Sequence, residues 1–189
     1  RKCLEAMLIN KNIEVSIKCR IGIGKDFNYS LFVLNNNKLL PGTPLNYSKD
    51  FVESINYNNN FLSTYLDGRQ NELSKKNKNL KPQMTLRATS YNIDGVILMD
   101  ELIDNKVCDC CQTDIALTSN NTPITVYRDR SDNETRDIYY SYFKNSVWST
   151  PKQVNDDNWI IAGCPVNGPA ISTFDNSSSV VWYTEIDGE

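Results

Sequence analysis

Histidine is absent from this chain of 189 residues. Without an imidazole the chain cannot form a Ser-His-Asp triad or a Cys-His pair, and it has no histidine ligand for a metal. Basic charge is scarce too, because 20 Lys and Arg are outnumbered by 23 Asp and Glu, for a net charge of −3. This balance offers no basic surface for nucleic acid. The chemistry that remains is that of carboxylate, tyrosine, lysine, arginine and thiol groups.

Long apolar runs are also missing. None approaches the roughly 18 residues that cross a bilayer, and the first residues lack the apolar region and cleavage site of a signal peptide. A composition of 40% hydrophobic and 23% charged residues is typical of one domain with a packed core. The chain starts at Arg1 without Met and stops within an apparent hairpin turn at Glu189. We therefore expect a piece of a longer protein.

Helical periodicity is not evident anywhere in the sequence. Short apolar runs alternate instead with turns rich in Asn, Asp, Ser and Gly, which is typical of antiparallel strands. We expect strands at 51–57, 61–66, 84–91 and 96–103, then 113–118, 124–128, 136–143 and 147–154, then 170–174 and 180–183. A hairpin is expected within 29–40 and a single strand at 14–21, whereas the Lys- and Asn-rich segment 70–81 is expected to be a polar loop.

A unit of four strands and three short turns thus occurs twice and then begins again. Such a repeat predicts an all-β fold and, specifically, β-propeller blades at about 51–103 and 112–154. Parts of further blades would lie before residue 50 and after residue 168, within a single partial domain spanning 1–189. Residues 1–28 have no assigned role. A β-sandwich with similar hairpins is the structural alternative.

Four cysteines stand in two loops that precede the first strand of a repeat. Cys108, Cys110 and Cys111 lie before 113–118, and Cys164 lies before 170–174. First strands of neighbouring blades lie side by side, so we expect these loops to meet on one face. Alternation along an extended segment would place Cys108 and Cys110 on one side, with Cys111 opposite. Cys164 is therefore expected within disulfide or shared-ligand reach of the cluster, with Cys108 or Cys110 favoured as its partner.

Several chemistries suit these cysteines. A disulfide would staple adjacent repeats. A metal site for copper or zinc could use Cys110, Cys111 and Cys164 together with Asp109, since thiolates prefer soft ions. A redox pair or simple buried thiols are the remaining interpretations.

Arginines recur near the ends of the expected strands, close to Asp67, Asp129 and Asp137. They could form ion pairs that bracket neighbouring repeats, or they could line a pocket for a ligand carboxylate, which the guanidinium fork binds in two places. The residues proposed for ligand binding are Arg69, Arg128, Arg130, Arg136 and Asn167. Those proposed for catalysis are Tyr127, Asp129, Arg130, Arg69 and Arg87, with Tyr139, Tyr183 and Glu185 as further candidates by residue type.

Several segments together resemble one family. They are Tyr65-Leu66-Asp67-Gly68-Arg69, Met84-Thr85-Leu86-Arg87-Ala88, Cys108-Asp109-Cys110-Cys111-Gln112-Thr113, Tyr127-Arg128-Asp129-Arg130-Ser131, Arg136-Asp137-Ile138-Tyr139 and Gly163-Cys164-Pro165-Val166-Asn167-Gly168-Pro169-Ala170. Over about 40–189 the chain is similar to the sialidase-like (BNR-type) β-propellers of the bacterial envelope, the exo-alpha-sialidase group. The resemblance implies a six-bladed propeller, of which this chain covers about three blades, located outside the cytoplasm.

The resemblance leaves the activity open. The sialidase Asp-box is absent, because the nearest turn, 144–148, keeps only Trp148. Three functions are therefore weighed: a non-catalytic binding module for a glycan or an envelope protein, an exo-alpha-sialidase acting on sialylated glycans, and a thiolate metal or redox protein. A retaining sialidase would need a tyrosine nucleophile with a carboxylate base and a separate acid.

Overall fold

The computed structural model describes residues 32–35, 38–41, 49–175 and 177–185, with side chains from Glu53 onward. The strand expected at 14–21 lies outside the described residues, as do Cys3, Cys19 and residues 42–48. Within the described residues, the fold is mainly antiparallel β-sheet with one short helix, so the all-β expectation is confirmed. No helix in this part of the chain has the length and apolar character needed to cross a bilayer.

The strands form two meanders flanked by two hairpins. The first hairpin is β1 (Phe32–Asn35) with β2 (Lys38–Pro41). The first sheet has the order β3 (Lys49–Tyr57), β4 (Asn60–Asp67), β5 (Met84–Tyr91) and β6 (Ile97–Val107). The second sheet contains β7 (Asp114–Leu117), β8 (Pro123–Arg128), β9 (Ile138–Lys144), β10 (Val147–Trp148) and β11 (Lys152–Gln153). The last hairpin is β12 (Ala170–Phe174) with β13 (Ser177–Val181).

Tight turns rich in asparagine set the register of the hairpins. Asn58 and Asn59 have φ of 50° and 62°, and Asn145 and Ser146 have φ of 54° and 62°. Two consecutive residues with positive φ form the type I′ turn, whose twist matches that of the strands it joins. These turns pair Tyr57 with Asn60 and Lys144 with Val147.

Segment 70–81, expected to be a loop, contains a helix, α1 (Arg69–Lys76), which corrects that expectation. Its residues are mostly good helix formers, with Glu72 in the first turn and Lys75 and Lys76 in the last, as the helix dipole favours. None of its residues is buried. A helix without an apolar stripe has no periodic signal, so the pattern of hydrophobic residues could not reveal it.

The strand expected at 147–154 is also corrected, because it is split into β10 and β11. Both pieces pair with β9, at Phe143 and Lys144 and at Tyr139 and Tyr140. Pro151 lies between them. Proline has no N–H to donate to a ladder, so the pairing is interrupted there.

One hydrophobic core joins the two sheets. Leu62, Leu66, Leu86 and Val107 of the first sheet belong to the same buried cluster as Ile115, Tyr127 and Trp148 of the second. Thr125 Oγ1 donates to Thr64 Oγ1 at 3.3 Å across the junction. The first strands lie next to each other in chain order, since β3 contacts β7 and β7 contacts β12. This order positions the loops that lead into β7 and β12.

Candidate functional site: a dithiol beside a disulfide

The site is built from two loops that precede first strands. The cysteine loop (108–113) joins β6 to β7, and the Gly-Cys-Pro loop (163–169) leads into β12. Gln112 Nε2 donates to the Gly168 carbonyl at 3.2 Å, and Ile171 N donates to Asp114 Oδ2 at 2.9 Å. Gly168 packs so closely that a Cβ there would lie 2.0 Å from the Gln112 carbonyl oxygen. The two loops therefore meet, as the repeat predicted.

A disulfide joins Cys110 to Cys164 across 54 residues of sequence, with Cα atoms 6.3 Å apart. This separation lies within the range of protein disulfides. Cys164 was expected to pair with Cys108 or Cys110, and the structure selects Cys110. Cys164 is exposed and Cys110 is half-buried, so the bond runs from the surface inward.

The expectation that Cys111 faces away from Cys108 is wrong. Their Sγ atoms lie 3.0 Å apart, and Cys108 Sγ lies 4.0 Å from Cys110 Sγ. The chain bends at Asp109 and Cys110 instead of continuing as a strand, so alternation does not apply. Both thiols are only 1% exposed. The sequence did carry the signal, because Cys108 and Cys111 have Cys-x-x-Cys spacing within the cluster.

Two hydrogen-bond donors, Cys111 and then Arg136, favour the thiolate form of Cys108. Arg136 Nη1 donates to Cys108 Sγ at 3.2 Å, and the Arg136 side chain is 5% exposed. The hydrogen bond from Cys111 lowers the pKa of Cys108 to about 6, with help from Arg136 and from the Cys110 backbone, while burial opposes it. The pKa of Cys111 is raised because its proton is held by Cys108 and because it is buried. Of the two thiols, Cys108 is therefore the one that ionises first as the pH rises.

Arg128 holds the surrounding segments together. It is 1% exposed and donates to the carbonyls of Asn167 at 2.8 Å, Arg136, and Tyr183 at 2.6 Å. Its guanidinium lies 4.9 Å from the centre of the Trp159 ring, a cation–π contact. Arg128 is thus a structural centre, and Asn167 takes part through its backbone.

Glu134, which the sequence analysis did not single out, links the other two arginines of the site. Arg130 Nη2 lies 2.8 Å and Arg136 Nη2 lies 2.6 Å from its carboxylate. The hydrogen bonds from Arg130 and Arg136 lower the pKa of Glu134 to about 2. Arg130 also reaches Asp109 at 3.1 Å. Both arginine forks are therefore engaged with carboxylates of the chain itself.

Arg69 and Arg87 lie elsewhere, in the first meander. Arg69 Nη2 lies 2.6 Å from Asp67, and Arg87 Nε lies 2.9 Å from Asp100. All four residues belong to β4, α1, β5 and β6, so the ion pairs between them lie within the first meander and do not join neighbouring repeats. Strand neighbours within one sheet are closer than residues of the next sheet.

Among the acidic and tyrosine candidates, Tyr127 and Asp137 form hydrogen bonds within the fold, and Asp129 is largely buried. Tyr127 is fully buried and its hydroxyl donates to Asp104 Oδ2 at 2.6 Å. Burial and the nearby Asp104 raise the pKa of Asp129 to about 7. Asp137 accepts hydrogen bonds from the backbone N–H groups of Asn158 and Trp159, both at 3.0 Å. Asp137 thereby fixes the segment that precedes the Gly-Cys-Pro loop.

Among the described residues, the four proposed metal ligands, Cys110, Cys111, Cys164 and Asp109, do not form a metal site with each other. Cys110 and Cys164 share a disulfide, and Asp109 pairs with Arg130. The Sγ atoms of Cys108, Cys110 and Cys111 do lie within 4.8 Å of one another, but only two of them are thiols.

No protein-family model matches the chain, and no curated protein matches it either.

Proposed function

We propose that the chain belongs to a thiol–disulfide redox protein in which Cys108 and Cys111 are oxidised reversibly to a disulfide. The observation that carries this proposal is the 3.0 Å between their Sγ atoms. A disulfide bond is about 2.05 Å long, so its formation needs a shift of only about 1 Å. Cys-x-x-Cys spacing and a neighbouring cation both favour a reactive thiolate, and Arg136 supplies the cation.

The reaction with a small disulfide such as oxidised glutathione balances in two steps. The Cys108 thiolate attacks one glutathione sulfur, a mixed disulfide forms, and one glutathione leaves as a thiolate. Cys111 then loses its proton and attacks Cys108 Sγ, which releases the second glutathione. Two protein thiols are oxidised and one glutathione disulfide is reduced.

The scaffold in this proposal is a six-bladed propeller of the sialidase-like type, working outside the cytoplasm. Support comes from two consecutive meanders whose first strands are neighbours, and from a third hairpin that begins in the same way. An oxidising compartment suits the Cys110–Cys164 disulfide. The binding-module interpretation then acquires a definite partner, an envelope protein or small molecule that carries a thiol or a disulfide.

The sialidase alternative has less support among the described residues. Arg69, Arg87, Arg130 and Arg136 engage carboxylates of the chain, and Arg128 is buried under Trp159. A sialoside carboxylate would have to displace these partners. Tyr127 is 0% exposed, so its hydroxyl cannot reach a glycan without a rearrangement of the core. We expect no turnover of a fluorogenic sialoside.

The test is equilibration of the full chain in glutathione buffers of graded redox potential, followed by acid quenching, alkylation and non-reducing peptide mapping. We expect a Cys108–Cys111 disulfide in oxidising buffer and a dithiol in reducing buffer, with one midpoint approached from both directions. Cys111→Ser is the control, in which no peptide with a Cys108–Cys111 disulfide should appear at any potential.

Burial could slow the reaction, so the chain is also refolded from urea in oxidised glutathione. The proposal would be overturned if Cys108 and Cys111 stay thiols after refolding while the Cys110–Cys164 disulfide forms. If the reduced chain binds stoichiometric zinc or copper(I) and this prevents oxidation of Cys108, the metal-site interpretation would replace the redox proposal.

A further inference from the structure

The four cysteines differ in burial, from one at the surface to two in the interior. Cys164 is exposed, Cys110 is half-buried, and Cys108 and Cys111 lie buried behind them. Cys110 Sγ belongs to the group within 4.8 Å of both thiols, and Cys164 does not. The buried dithiol therefore faces one particular sulfur of the disulfide, and solvent faces the other.

We propose that the disulfide and the buried dithiol exchange with each other, so that Cys164 is the outer end of an internal relay that serves small thiols and protein dithiols. This inference rests on the proposed function, and it adds the route and the class of partner. Its geometric basis is the 4.0 Å from Cys108 Sγ to Cys110 Sγ together with the 3.0 Å from Cys108 Sγ to Cys111 Sγ.

The exchange needs no outside oxidant. In the first step the Cys108 thiolate attacks Cys110 Sγ, a Cys108–Cys110 bond forms, and Cys164 leaves as a thiolate with the electron pair of the broken bond. In the second step Cys111 gives its proton to solvent and attacks Cys108 Sγ. A Cys108–Cys111 bond forms, and Cys110 leaves as a thiolate. One disulfide and two thiols are present before and after.

The surroundings allow this movement of sulfur. Arg136 supports a thiolate at Cys108, the attacking atom. The far side of the Gly-Cys-Pro loop stays anchored when the disulfide opens, because Arg128 binds the Asn167 carbonyl and Gln112 binds the Gly168 carbonyl. Only the part near Cys164 is released, so β12 keeps its place.

The exchange would change what the surface offers. Before it, the surface presents a disulfide that an outside thiol can attack at the exposed Cys164. After it, the surface presents the thiols of Cys110 and Cys164. These can reduce an outside disulfide and form the Cys110–Cys164 bond again, and the chain then holds both this bond and the Cys108–Cys111 disulfide. A dithiol protein or glutathione fits either form, since only one exposed sulfur has to be reached.

The experiment traps Cys164 as it leaves. The full chain, with the Cys110–Cys164 disulfide closed and Cys108 and Cys111 as thiols, is incubated with N-ethylmaleimide in buffer without reductant. Peptide mapping follows the label on Cys164. We expect labelling in the wild type that becomes faster between pH 5 and pH 7, and at least tenfold slower labelling in Cys108→Ser. Cys111→Ser should accumulate a Cys108–Cys110 disulfide together with labelled Cys164, because the second step is blocked.

Arg136→Met is the second variant. It keeps all cysteines and should move the rise in the labelling rate to higher pH. Each variant must retain the wild-type circular dichroism spectrum. Cys164 that stays unlabelled while Cys108 and Cys111 oxidise in glutathione buffers would overturn the relay and leave the proposed function standing. Labelled Cys164 without any Cys108–Cys111 disulfide in those buffers would overturn the proposed function and keep the first exchange step.

Discussion

Arg136 lies between two anionic groups, with Cys108 Sγ at 3.2 Å from Nη1 and Glu134 Oε2 at 2.6 Å from Nη2. Its side chain is almost fully buried, so water screens these contacts little. Removing the Arg136 guanidinium would leave Arg128, which also interacts electrostatically with Cys108, as the remaining cation beside the thiolate. The effect should appear in the protonation of Cys108 before it appears in the fold.

We predict that Arg136→Met raises the pKa of Cys108 above its value of about 6. Thiolate absorbance at 240 nm, titrated from pH 4 to pH 9, measures it. The step that belongs to Cys108 is the one lost in Cys108→Ser, which separates it from other thiols. Arg69→Met, in the other meander, is the control and should leave the step in place. An unchanged midpoint in Arg136→Met would show that Arg136 does not stabilise the thiolate.

Sequence reasoning located the cysteines of the site but not their facing directions. Proximity of Cys164 to the cluster followed from the repeat, since both loops precede first strands. The direction of Cys111 did not follow, because it depends on a bend at Asp109 and Cys110 that a strand pattern cannot represent. Glu134 was missed for a similar reason: it pairs with Arg136 two residues away, through a loop geometry without periodicity.

At the scale of elements, the strands were predictable because most are short, alternate and end at a strong turn, although β6 continues beyond its expected end to Val107. Asn58 and Asn59, for example, mark the β3–β4 turn in the sequence and adopt positive φ in the structure. The helix α1 and the split at Pro151 were not predicted. The former buries no residue, and the latter depends on a single missing N–H within a run that otherwise alternates.

The contact between the two loops yields a matched pair of glycine variants. At Gly168 a Cβ would lie 2.0 Å from the Gln112 carbonyl oxygen and 2.7 Å from its nitrogen, so the backbones must separate. At Gly163 a Cβ would meet only Ile161 Cγ1 at 3.7 Å, an ordinary contact. We predict that Gly168→Ala lowers the free energy of unfolding by about 1–3 kcal/mol, whereas Gly163→Ala changes it little.

Urea unfolding followed by tryptophan fluorescence compares these two variants, with non-reducing mapping to confirm that Cys110–Cys164 is intact in each. Equal stability of Gly168→Ala and Gly163→Ala would mean that the two loops are not packed as described.

At the scale of the whole molecule, the disulfide joins the loop that precedes the second sheet in the chain to the loop that follows it. Opening it enlarges the conformational freedom of the unfolded chain, and a loop of this length corresponds to about 4 kcal/mol in the loop-closure model. We predict that Cys164→Ser lowers the free energy of unfolding by up to about this amount. Urea unfolding measures it, and the double variant Cys110→Ser with Cys164→Ser should cost no more than the single one. A clearly additive double variant would indicate that Cys110 and Cys164 act separately.

The stability of the molecule should also depend on pH through Cys108. Its pKa in the folded state is about 6, below the ordinary value of 9.0. A lowered folded pKa gives stability that is present at high pH and is lost as pH falls through 6. We predict that Cys108→Ser costs more at pH 8 than at pH 5, with a slope of at most about 1.4 kcal/mol per pH unit. Gly163→Ala, which adds no titratable group, should show no such trend in the same urea series.

The disulfide has a mechanical consequence as well. Cys110 and Cys164 enclose β7, β8, β9, β10 and β11, so a pull applied along the chain passes through the sulfurs and bypasses the second sheet. While the bond is closed, the chain between Cys110 and Cys164, which are 54 positions apart, cannot be extended. Once it opens, roughly 180 Å of chain becomes available to the same pull. The oxidation state of two sulfurs therefore sets how far this molecule can stretch under load.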